Sequence, residues 1–177
     1  MNIEIEVKLK VRSLAKIKQR LKLLKAKYLG LVWQVDTYYQ VSKNYYLKGV
    51  PKLRIREERN KGKAFLEYHE AVNNFKAKEF ETEVSNAKMA KIILEKFGYK
   101  PGLMVDKKRE KYRLGRINID LDSVKGLGSF VEIEIMNKNE KESLKEIYDF
   151  LPNLGLSKKD IIAGKSYLGL VWEKARK

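Results

Sequence analysis

Apolar and polar residues alternate with a period of two in eight stretches, at about residues 2–11, 31–40, 52–58, 64–70, 77–85, 103–113, 116–122 and 129–136. Successive side chains of a strand point to opposite faces, so each stretch predicts a short β-strand with one apolar and one polar side. Turn formers separate them, as in Asn60-Lys61-Gly62-Lys63 and Gly126-Leu127-Gly128. Elsewhere the spacing becomes helical. After Ser13, a candidate cap, Leu14, Ile17, Leu21, Leu24 and Tyr28 step by three and four until Gly30, which predicts a helix over that span. Asn86 opens a second helix, with Met89, Ile92, Ile93 and Phe97 as its stripe and Gly98 as its stop, and a third runs from about Glu140 to Leu151 ahead of Pro152. The chain after Ser157 is expected to be helical in part. Pro51, Pro101 and Pro152 are scattered and no linker or repeat intervenes, so residues 1–177 are expected to form one domain.

The polar faces are almost wholly charged. In the first strand Ile3, Ile5, Val7 and Leu9 share one side, and Glu4, Glu6, Lys8 and Lys10 the other. The same parity sets Arg54 and Arg56 against Leu53 and Ile55, Asp120 and Asp122 against Ile119 and Leu121, and Glu132 and Glu134 against Val131, Ile133 and Ile135. Glu79, Glu81 and Glu83 form one row, and Lys107, Arg109, Lys111 and Arg113 another. If the apolar faces pack under amphipathic helices, the charged faces turn together, either to open solvent or into a barrel lumen. Strands of a single sign cost stability unless an ion or ligand compensates. Eight strands also suit a closed barrel able to hold side chains and one small ligand. The expected fold is therefore α+β, a single-domain eight-stranded antiparallel β-barrel with a charged lumen and helices packed outside.

Composition narrows the chemistry. The chain has 39 Lys and Arg against 23 Asp and Glu, a formal charge of +16, with 44% hydrophobic residues and 35% charged ones. That is enough apolar material for a core, which argues against disorder. The absence of Cys excludes disulfides, thiol nucleophiles and Cys-based zinc sites, and a single His argues against His-rich metal sites and a conventional Ser-His-Asp triad, so any metal is expected to be held by carboxylate oxygens. The charge attracts polyanions, whether nucleic acid, an acidic membrane surface or a small polyphosphate, and does not choose among them. No apolar run approaches the roughly 20 residues that cross a bilayer, and Met1-Asn2-Ile3-Glu4 does not open a leader, which predicts a cytoplasmic protein with no membrane partner.

Glu4-Ile5-Glu6-Val7-Lys8 resembles the N-terminal Glu-x-Glu-x-Lys motif of the CYTH superfamily, also called triphosphate tunnel metalloenzymes. Further motifs follow in order. Gln34-Val35-Asp36-Thr37-Tyr38-Tyr39 is similar to the family's second strand, Leu53-Arg54-Ile55-Arg56 to its Arg-x-Arg strand, and Glu79-Phe80-Glu81-Thr82-Glu83 to its central acidic strand. Lys107-Lys108-Arg109 resembles its Lys-x-Arg strand, Asp122 its single Asp, residues 126–134 its Gly-x-Gly-x-Phe-x-Glu-x-Glu element, and Lys165-Ser166-Tyr167 its C-terminal basic element. The resemblance spans nearly the whole chain and implies a tunnel that binds a triphosphate-bearing substrate with Mg or Mn.

The residue types suit that chemistry. Lys8, Arg54, Arg56, Lys107, Arg109 and Lys165 are candidate ligands of the phosphate oxygens, Arg bidentately and Lys as a point charge. Hard divalent cations take oxygen ligands, for which Glu4, Glu6, Asp122, Glu132 and Glu134 are the candidates, with Glu81 a further one. Phosphoryl transfer requires mainly positioning and charge stabilisation, so the lack of other nucleophiles is no obstacle. Lys8 and His69 are the candidate catalytic groups. His69 stands where the family often carries Lys, and it reads either as a phosphate contact and proton donor or as a strand residue bonded to a Glu. Ala77 replaces a customary Arg, with Lys76 or Lys78 beside it.

Other features read as structural. Tyr38, Tyr39, Tyr45 and Tyr46 suit core or rim packing, the first helix's lysines suit a solvated face, and residues 173–177 suit a frayed tail. Gly126-x-Gly128 lacks the Lys and helix start of a P-loop. Hydrolysis of inorganic triphosphate or a nucleoside triphosphate is the leading expectation, because cyclisation to cyclic AMP also demands an adenine pocket for which no motif stands out. A class IV adenylate cyclase is the alternative. A non-enzymatic polyphosphate or RNA binder is a further one, although carboxylate pairs would repel a phosphate backbone, which makes nucleic acid a poor fit. A homodimer is compatible with these features.

Overall fold

The structure, a computed structural model, describes residues 2–136 and 139–176, with backbone alone for Asn2 and Ile3. The place of Ile3 on the apolar face and of Lys177 in the tail therefore lie outside the described residues. Eight strands form: β1 (Asn2–Val11), β2 (Lys27–Gln40), β3 (Lys52–Glu58), β4 (Lys63–Ala71), β5 (Lys76–Glu83), β6 (Lys100–Leu114), β7 (Ile117–Val124) and β8 (Gly128–Met136). They close into a barrel in the order β1-β5-β4-β3-β2-β6-β7-β8, each neighbour antiparallel. Among the described residues four α-helices flank the barrel: α1 (Leu14–Leu23), α2 (Ala87–Lys96), α3 (Glu140–Phe150) and α4 (Tyr167–Ala175).

The first helix is shorter than its apolar spacing predicts. Leu24 caps it, Lys25 turns to φ 56°, and Tyr28 and Gly30 belong to β2. There they pair with the long β6, and Gly30, at φ 118°, sits at a register shift that a β-bulge creates. Inter-strand pairing thus overrides the local three-four periodicity. Ser13 makes no side-chain cap bond, whereas Asn86 accepts from the Met89 amide and caps α2.

The apolar face of the strands looks outward. Ile5, Val7, Leu9, Ile119, Leu121, Val131 and Ile133 are buried under Ile17 and Leu21 of α1 and Ile147 and Phe150 of α3. The inner face is charged for most of its length and turns apolar at one end. By strand parity Tyr38, Val105, Val124 and Phe130 continue the rows of Asp36, Lys107, Asp122 and Glu132, and they pack with Tyr45 and with Tyr167 and Leu168 of α4. The expected tunnel is thus stoppered at that end. Among the described residues no helix is long and apolar enough to cross a membrane.

Candidate functional site

The lumen encloses a cavity of about 470 Å³, and its wall carries Lys8, Arg54, Arg56, Lys107 and Arg109 together with Glu4, Glu6, Glu79, Glu132 and Glu134. Alternation along β1, β3, β5, β6 and β8 aims these side chains inward, and their neighbours on β1, β7 and β8 hold the outer core.

Two arginine lattices organise the cations. On β3, Arg56 donates from Nε and Nη2 to the two oxygens of Asp36, at 2.8 and 3.0 Å. Arg54 donates from Nε to Glu67 at 2.6 Å, from Nη1 to the Tyr38 hydroxyl at 3.0 Å and from Nη2 to Glu79 at 3.2 Å. Burial works against the Asp36 carboxylate, yet the guanidiniums of Arg56 and Arg54 hold it well below the usual range. On β6, Arg109 binds Asp122 through Nε and Nη2 at 2.7 and 2.6 Å, reaches Asp120 at 2.7 Å, and also pairs with Glu132. The Tyr167 hydroxyl donates to Asp122 at 2.8 Å. Lys8 pairs with Glu132 at 3.0 Å and Glu6 at 3.2 Å, and these carboxylates outweigh burial to keep its ammonium charged.

At a different pole of the same wall burial outweighs the compensation, although Lys8 pairs with Glu6 at 3.2 Å and Arg109 with Asp120 at 2.7 Å. Burial, then the charges of Glu79 and Glu134, push the Glu4 carboxyl up to about 9. Burial followed by Glu6 and Asp120 raises Glu134 to about 7, and burial followed by Glu132 raises Glu6. Asp120 is raised chiefly by burial, and its Oδ1 is a buried oxygen with no hydrogen-bond partner. Crowded hard oxygens whose ionised state is unfavourable are what a divalent cation relieves, so the donor chemistry fits Mg or Mn. Among the described residues no three acidic or imidazole side chains already form a metal cage.

Each sequence candidate has a definite place. Lys8, Arg54, Arg56, Lys107, Arg109, His69, Glu4, Glu6, Glu81, Glu132 and Glu134 all reach the cavity wall. Glu81 lies at its exposed margin beside Glu67, where burial and that neighbour raise it. Asp122 is fully buried behind the wall, its oxygens taken by Arg109, Lys107 and Tyr167. Lys165 borders the cavity, but its ammonium binds Glu173 at 2.9 Å while its carbonyl accepts from Lys8 at 3.4 Å. Burial and then the Arg54 charge depress the His69 imidazole to about 4, so at neutral pH it is no imidazolium donor. Asp36, Glu67 and Asp120 were not among the sequence candidates. Their inward parity was readable, but parity does not say that Asp36 and Glu67 would anchor the arginines.

A model of the CYTH domain matches residues 2–165. A protein of Methanocaldococcus jannaschii that carries the provisional name of adenylate cyclase is 33% identical over 174 residues, covering 95% of this chain and 98% of its own. The solved PH1012 protein of Pyrococcus horikoshii is 32% identical with a TM-score of 0.86, over 94% of this chain and 98% of that one. The adenylyl cyclase-like HpAC1 of Hippeastrum, described as having a dominant triphosphatase activity, shares the fold at a TM-score of 0.70 and 16% identity, over 98% of this chain and 96% of that one.

Proposed function

The chain belongs to the CYTH domain family, and from that premise we propose that it hydrolyses a triphosphate-bearing substrate, inorganic triphosphate or a nucleoside triphosphate, with Mg or Mn. The observation that carries this reading is the division of one lumen into a pole of anchored cations and a pole of carboxyls that burial raises despite partial pairing. A triphosphate with about four negative charges suits the first pole, where Arg56 and Arg109 keep N–H groups beyond those given to their carboxylate anchors and Arg54 adds its charge. Asp36, Glu67 and Asp122 hold the guanidinium planes in place before substrate arrives, which lowers the cost of ordering them on binding. Glu4, Glu6 and Glu134, with Asp120, are the donors that would hold the divalent cation, and Glu132 sits between the two sets. When bound, the cation would supply charge neutralisation and Lewis-acid polarisation of phosphate oxygens.

The remaining work falls to side chains. Water adds to the terminal phosphorus as the bridging P–O bond breaks, releasing orthophosphate, and the charge that grows on the leaving oxygen is met by Lys8 and Arg109. His69, neutral at pH 7, can hydrogen-bond a phosphate oxygen or accept a proton from the attacking water. Cyclisation of ATP to cyclic AMP and pyrophosphate is the second reading, favoured by the name of the archaeal relative. The cavity wall favours hydrolysis, since charged groups dominate it and a water nucleophile needs no base-binding slot. Incubation with inorganic triphosphate and with ATP in Mg or Mn, with separate assays of phosphate, pyrophosphate and cyclic AMP, tests the choice. Phosphate from both substrates is expected. Pyrophosphate and cyclic AMP in equal amounts from ATP would replace hydrolysis by cyclisation.

A further inference from the structure

Lys52 stands apart from the other cavity cations. It follows the parity of Arg54 and Arg56 on β3, it borders the cavity, and it is 8% exposed. The comparably buried Lys107 and Arg109 are both ion-paired. Among the described residues, no carboxylate pairs with Lys52. Its ammonium donates instead to the backbone carbonyls of Leu47, at 2.6 Å, and Val50. Two of its three N–H groups are thereby fixed and one is left over. Its ladder partner on β4 is His69, which also borders the cavity and carries no charge at neutral pH to take a competing anion.

A buried ammonium without an anion is costly, and burial alone holds this one down to about 8. The carbonyls fix its position without neutralising it. An anionic ligand reaching past Arg54 along the same strand face would gain a full charge contact there. We propose that Lys52 is a substrate-binding residue that holds one end of the phosphate chain, beyond the span that Arg54 and Arg56 cover. The proposal rests on the reading of the lumen as a phosphate-chain site.

The test uses two variants and the wild-type protein. Lys52→Gln can keep donating to a carbonyl while losing the charge, and Lys52→Arg keeps the charge. With inorganic triphosphate and Mg, Lys52→Gln is expected to raise KM about tenfold with kcat within about twofold of wild type, and Lys52→Arg to recover most of the loss. Unchanged KM in a folded Lys52→Gln protein would overturn the proposal, as would Lys52→Arg and Lys52→Gln sharing one lowered melting temperature and one KM. Folding defects are bypassed by nitrogen NMR of the wild-type lysine ammonium groups during titration with a non-hydrolysable imido analogue of triphosphate. The Lys52 resonance should move. Binding of the analogue with that resonance unmoved would overturn this proposal alone, whereas no binding at all would overturn it together with the reading of the lumen.

Discussion

The two poles of the lumen are built from the same residue types and differ in who supplies the counter-charge. At the β3 pole every buried anion faces a guanidinium: Asp36 holds Arg56, and Glu67 holds Arg54 and approaches Arg56 at 3.3 Å. At the β1–β8 pole burial raises Glu4, Glu6 and Glu134, aided by Glu79 and Glu134 at Glu4, by Glu132 at Glu6 and by Glu6 at Glu134, and the Lys8 ammonium beside Glu6 offsets this only in part. The first pole is complete within the chain, so its cost of charge burial is offset on folding. In the second, burial is only partly offset within the chain, which is why a divalent cation is proposed there. That difference separates residues that shape the site from residues that must be met by something else.

The largest expected effect lies in the complete pole. Asp36→Asn leaves Arg56 without its bidentate anchor, which should lower unfolding free energy by about 3–5 kcal/mol, the scale for breaking a buried pair. Urea unfolding measures it. A loss below about 1 kcal/mol would mean that water already solvates this lattice.

Next comes the incomplete pole. Glu134→Gln should leave stability intact while cutting turnover of triphosphate on the order of 100-fold, the scale for loss of a metal-supporting ligand. Glu132→Gln should cut turnover as far and also lower stability, because Lys8 and Arg109 lose a partner. Melting curves beside initial rates distinguish the two carboxylates, and equal melting losses in both variants would blur the distinction between poles.

A further effect concerns pH. A carboxyl raised from 4.5 to about 9 in the folded state contributes stability below the unfolded value and loses it as pH rises through that window. The metal-free protein should therefore melt lower at pH 9 than at pH 6, and Glu4→Gln should raise its melting temperature at pH 8 by a few degrees. Calorimetric scans in chelator decide this, and a Glu4→Gln protein that melts lower at pH 8 would show that the ionised carboxylate is already compensated.

Period-two alternation exposed all eight strands and, through parity, the charged face that became the lumen. The sequence order of the charged motifs exposed most of the cavity wall. What stayed hidden depends on which strands become neighbours. Glu67 matters because the β3–β4 hairpin sets it opposite Arg54; the turn at residues 60–63 predicts the hairpin but not that register. Asp120 and Asp122 share one face in the sequence, yet α4 covers Asp122 through Tyr167 and leaves Asp120 on the cavity. Lys52 is hidden for a similar reason, since its lack of a carboxylate partner among the described residues exists only in three dimensions. The overlong first helix has the opposite origin, a local periodicity that the β2–β6 ladder overrules.

Calorimetric titration of Mn into the metal-free protein, its Glu4→Gln/Glu134→Gln double variant and Arg56→Lys tests the division most directly. Saturable Mn binding is expected in the wild type and in Arg56→Lys, with loss of at least about tenfold in affinity in the double variant, since two anionic oxygen donors are gone. Equal Mn affinity in all three proteins would contradict the assignment of the carboxylate pole to a divalent cation.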